Sequence, residues 1–123
     1  MRRPAVLLAL VLAACDGGHG KLGLVVPLTG PLAERGHEMR VALDLALAEL
    51  PPERRPEVLQ ADCEGSARRT TTAFGDLASL GATVVMGPLT TDEVEAASLV
   101  ARAVGVSCVA PTATGAELGD ASG

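Results

Sequence analysis

Ala82-Thr-Val-Val-Met-Gly-Pro-Leu-Thr-Thr-Asp-Glu93 passes from one secondary structure to another within a single short stretch. Ala82–Met86 is an apolar run rich in β-branched residues, which predicts a strand. Gly87-Pro88 ends it, because proline cannot donate to a ladder. Thr90-x-x-Glu93 then has the spacing of a capping box, in which two side chains satisfy free amides of a helix's first turn. A helix is predicted from there to Val104, stopped by Gly105. Upstream, Lys21–Val26 reads as a strand broken by Pro27–Gly30. From Leu32 to Leu50 apolar residues recur at helical spacing, with Met39, Leu43, Ala46, Leu47 and Leu50 on one face. Pro51-Pro52 ends that helix. Glu57–Asp62 is a second strand. Ser66 caps a helix to Leu80 that turns Phe74, Leu77 and Ala78 inward, is slightly weakened by Gly75 and stops at Gly81. Val106–Ala110 is a fourth strand, closed by Pro111.

The order β-α-β-α-β-α-β predicts an α/β fold with a parallel sheet and helices on both faces. The strands read as uninterrupted apolar runs, as burial on both faces requires. Ligands of such sheets bind beyond the carboxyl ends of the strands. Here those ends are Pro27–Pro31, Asp62–Ser66, Gly87–Thr91 and Pro111–Gly115.

A chain of 123 residues holds one small domain. With 48% apolar residues it can bury a core, and Phe74 is its only aromatic residue. The core is therefore built from Val, Leu and Ala, and a pocket cannot rely on stacking. The formal net charge is −5, and no Lys/Arg run exceeds a pair, so the basic face that nucleic acid requires is absent.

Residues 1–15, MRRPAVLLALVLAAC, combine Arg2 and Arg3 with an apolar run from Ala5 to Ala14. The run falls short of the about 20 residues needed to span a bilayer and has the form of a signal peptide. Leu12-Ala-Ala-Cys15 resembles the lipobox of bacterial lipoproteins. That resemblance implies removal of residues 1–14 and lipidation of the Cys15 thiol, leaving the protein anchored in the cell envelope and facing the periplasm or exterior. Residues 15–20 then form the lipidated cysteine and a flexible tether.

Three segments carry a second resemblance: Leu22-Gly-Leu-Val-Val-Pro-Leu-Thr-Gly-Pro-Leu-Ala33, Val84-Val-Met-Gly-Pro-Leu-Thr-Thr91 and Val109-Ala-Pro-Thr-Ala-Thr114. In this order, with their intervening helices, they resemble the N-terminal lobe of the leucine/isoleucine/valine-binding type of periplasmic solute receptor, which serves ABC importers. The resemblance runs from about Lys21 to about Asp120. Members of that family have two lobes joined by a hinge, so residues 21–123 are expected to be an incomplete first lobe of a type I periplasmic-binding fold, a poor binder alone. The resemblance implies a small amino-acid-like ligand whose carboxylate is gripped by lobe-one donors. Thr91 matches the hydroxyl after the third strand, and it stands at a helix start that favours an anion. Thr112 and Thr114 match the pair after the fourth strand. Arg35 falls where the family often places an aromatic, a departure that admits a more acidic or polar ligand. The same threonines also serve as helix caps and turn partners.

The implied partners are the solute, the membrane through Cys15, and an ABC permease, with no nucleic acid and no cofactor. A regulatory lipoprotein of the same fold, activating a penicillin-binding protein, is the alternative. Gly18-His-Gly-Lys-Leu-Gly23 matches a dinucleotide-binding pattern but precedes the first strand instead of following it. His19 and His37 lie outside any metal-binding spacing, and no nucleophile–base pair is recognisable, so neither a metal site nor an enzyme is expected. Asp62 and Glu64 read as loop acids. Cys63 and Cys108 lie on strands that the expected sheet separates, which favours two free thiols. Some family members bridge the loops after strands two and three; here Cys63 lies near that position, opposite Thr90.

Overall fold

The computed structural model describes residues 20–115. The signal segment, Cys15 and nearly all of the tether lie outside them. The elements are β1 (Lys21–Val26), α1 (Ala33–Ala48), a 3-10 turn (Pro52–Arg54), β2 (Glu57–Asp62), α2 (Ala67–Ser79), β3 (Ala82–Met86), α3 (Thr91–Val104) and β4 (Ser107–Val109). The strands form one sheet in the order β2-β1-β3-β4, every pair parallel.

That order decides where the helices lie. The chain moves one way from β1 to β2, then back across β1 to β3 and on to β4. Right-handed crossovers therefore place α1 on one face and α2 and α3 on the other. The core divides accordingly. Leu24 and Val26 of β1 pack with Met39 and Leu43 of α1 and with Leu89. Val25 points the opposite way, to Ala73, Phe74 and Leu77 of α2 and Ala97 and Ala101 of α3. Period-two alternation along one central strand thus feeds two cores. Phe74 is fully buried, worth roughly 1.5–3 kcal/mol relative to exposure.

The caps follow the sequence. The Ser66 hydroxyl accepts the Arg69 amide at the start of α2. Gly105 ends α3 in the left-handed conformation that glycine adopts at little cost. Three expectations need correction. Helix α1 is shorter than 32–50, and it seats Gly36, Met39 and Leu43, while Ala46 is exposed. A bare Gly36 lets the helix press on the chain after β1: a Cβ there would lie 1.7 Å from the Pro27 carbonyl oxygen. Strand β2 is not buried on both faces. It is an edge strand with Glu57 and Gln60 exposed, consistent with its polar residues. Strand β4 spans three residues instead of five.

Helix α1 covers only part of its face. Met86 pairs in register with Leu24 and Val109, and Val84 shares its side of the sheet. Val84 and Val109 are 36% and 52% exposed there, and Val41 and Leu45 of α1 are also exposed.

Candidate functional site

The chain reverses direction between β1 and β3, so the crevice beyond their carboxyl ends is the topological switch point, where open α/β sheets bind ligands. An open cleft of about 690 Å³ lies there. One wall is Leu32 and the first turns of α1: Glu34, Arg35, Glu38, Met39 and Ala42. The other is Met86, Leu89 and Thr90 from the end of β3, with Pro111 and Thr112 after β4. Three turn segments predicted from sequence therefore meet at one rim.

The loops are stitched together. The Gly87 amide donates to the Val109 carbonyl at 2.8 Å, and the Thr112 hydroxyl donates to the Leu89 carbonyl at 2.8 Å. Gly87 has φ 97°, and a Cβ there would sit 1.9 Å from the Val25 carbonyl oxygen. Only glycine meets both the positive φ and the close approach. Asp62 holds the loop after β1. Its Oδ1 accepts the amides of Leu28 and Glu64, each at 2.8 Å, and its Oδ2 accepts the Thr29 hydroxyl at 2.7 Å. Partial burial alone would raise its pKa, but these bonds outweigh it and hold the carboxyl below its ordinary value. Asp62 is thus a structural clamp, in keeping with a loop acid.

Of the expected ligand contacts, Arg35 and Thr112 line the cleft. Thr91, the half-buried first residue of α3, and Thr114, exposed beyond β4, lie outside its lining. Thr90 takes the place expected for Thr91, but its hydroxyl donates to Glu93 at 2.6 Å. The hydroxyl protons of both cleft threonines are therefore already engaged, and each oxygen faces a ligand as an acceptor. Sequence spacing could reveal the capping box at Thr90 but not the bond from Thr112, whose partner lies 23 residues away.

The donors that remain are the Arg35 guanidinium and the start of α3. The first backbone bond of α3 runs from the Val94 amide to the Thr90 carbonyl, so the amides of Thr91 and Asp92 precede it. Glu34 and Glu38 bring negative charge to the same wall as Arg35, over an apolar floor of Met39, Ala42, Met86 and Leu89. Among the described residues no group of three or more His, Cys, Asp or Glu is placed to hold a metal ion, and no helix is long and apolar enough to cross a membrane.

Solved structures share this fold. The isoleucine complex of the branched-chain amino acid transporter substrate-binding protein LivJ from Streptococcus pneumoniae superposes with TM-score 0.76 and 24% identity, over 82% of this chain and 31% of that one. An ABC transporter solute-binding protein from Rhodopseudomonas palustris, in complex with 3,4-dihydroxybenzoic acid, gives 0.75 and 23%, over 83% and 29%. The leucine-binding protein LivK from Thermotoga maritima gives 0.71 and 18%, over 78% and 28%. No family model and no curated protein matches the sequence. The described chain has the architecture of part of a type I periplasmic binding protein. It spans less than a third of the length of these three relatives.

Proposed function

We propose that this chain is the solute-gripping first-lobe part of a lipid-anchored substrate-binding protein of an ABC importer, a binder and not an enzyme. The observation that carries the reading is the cleft at the switch point, where one wall holds carboxylates of Glu34 and Glu38 beside the Arg35 guanidinium. Charges of both signs above an apolar floor suit a small amino acid or a related carboxylic acid. The carboxylate would meet Arg35 and the amides at the start of α3, with the hydroxyls of Thr91 and Thr114 and the backbone around Thr112 nearby. The ammonium of an amino acid would face the glutamates. A lobe open to water holds its ligand weakly, because its charges stay solvated.

Amide chemical shifts of the labelled chain, titrated with isoleucine and with benzoate, test the reading. Saturable shifts at Arg35, Thr90, Thr91 and Thr112 are expected, reduced in Arg35→Ala, Thr91→Val and Thr114→Val. Titrations that leave this rim unmoved overturn it. Anchoring is tested separately: labelled palmitate should enter the wild type but not Cys15→Ser, and an unlabelled wild type would remove the lipid from the proposal.

A further inference from the structure

Glu93 and Cys63 are both buried, at 1% and 0% exposure, and they touch. The Cys63 thiol donates to Glu93 Oε1 at 3.2 Å. Glu93 Oε2 accepts the backbone amide of Thr90 at 3.1 Å and its hydroxyl at 2.6 Å. Cys63 is itself fixed by its backbone: its amide donates to the Val26 carbonyl, and its carbonyl accepts the Ser66 amide. Strands β2 and β3 are not neighbours, since β1 lies between them, so no ladder joins their trailing loops. The thiol–carboxylate bond does. Burial first, and then the adjacent Glu93 carboxylate, push the thiol up to about 11, so it remains a donor throughout the ordinary pH range.

We propose that Cys63 is a positioning residue of the cleft: its proton orients the buried Glu93 carboxylate, and that carboxylate sets the place and hydroxyl direction of Thr90 on the cleft wall. Removing the thiol leaves a buried carboxylate oxygen without its donor, and the neighbouring rim must move or admit water to compensate. The consequence for ligand binding rests on the solute-binding reading; the relay itself does not.

The test uses the full chain without ligand. Amide hydrogen exchange is followed at Thr90, with Leu24 in the central strand as a reference. Cys63→Ala is expected to speed Thr90 exchange at least about tenfold relative to Leu24, and Cys63→Ser, which keeps a donor, to restore most of the protection. Unchanged exchange at Thr90, or a serine variant as fast as the alanine one, overturns the relay and leaves Cys63 as packing. Should Cys63→Ala fail to fold, the S–H stretching band decides. In the wild type, Cys63 should absorb below Cys108, whose thiol donates to the neutral Gly87 carbonyl, and Glu93→Gln should raise the Cys63 band. A band indifferent to Glu93→Gln overturns the proposal. A failed isoleucine or benzoate titration, by contrast, would sink the solute-binding reading and leave the relay standing.

Discussion

The hydroxyl of Thr112 donates to the carbonyl of Leu89 at 2.8 Å, joining the loop after β4 to the loop after β3 and closing one wall of the cleft. A residue expected to meet a ligand through its hydroxyl uses that proton to hold the wall. Thr112→Val should therefore lower stability by about 1 kcal/mol, measured by chemical denaturation, while Thr112→Ser keeps most of it. A valine variant as stable as the wild type would show that the tie contributes nothing.

Asp62 yields a pH-dependent prediction. Its pKa in the folded chain lies below the ordinary value of 3.8. The stabilisation is complete above the unfolded-state pKa and is lost as pH falls through the depressed folded value. Asp62→Asn should cost about 1–2 kcal/mol at neutral pH, with the gap to wild type closing in strong acid. Denaturation midpoints across that range check it. A gap that stays constant with pH would rule out the charge as its source.

Gly36 and Gly75 should respond to alanine in opposite directions. Gly36→Ala drives a methyl group into the Pro27 carbonyl and should cost about 3 kcal/mol or more, lifting α1 from the sheet. A methyl group added at Gly75, within α2, would meet nothing within 4 Å, and Gly75→Ala should stabilise by about 0.5–1 kcal/mol. Melting temperatures of the two variants give the comparison directly.

The partly bare sheet face predicts self-association. Val84 and Val109 are exposed on the same side, and β4 has no outer partner among the described residues. Sedimentation of the chain should show concentration-dependent association, and Val109→Lys should weaken it by placing charge on that face. A monomer at all concentrations would refute the expectation.

Ser66, Thr90, Glu93 and Gly105 act within a few residues of themselves, so their capping roles are legible from spacing alone. The four strands are legible for the same reason, although β2 proves to be an edge. Its Glu57 and Gln60 interrupt the apolar run that full burial would need. The face of α1 is less legible, because helical spacing gives a stripe but not which part of it meets the sheet. Gly36, buried by contact with Pro27, has no apolar side chain to signal it.

The sequence by itself determined the order of elements, their caps and breaks, and the gathering of three turns at the carboxyl ends of parallel strands, because each depends on local backbone preference and hydrophobic period. Only the tertiary structure decided that Thr90 and Thr112 line the cleft with their protons engaged, that Asp62 clamps the loop after β1, and that Cys63 reaches Glu93 across it. Those contacts join loops far apart in the chain. The direction of a hydroxyl, thiol or carboxylate there is set by whichever partner the packed sheet brings within hydrogen-bonding distance.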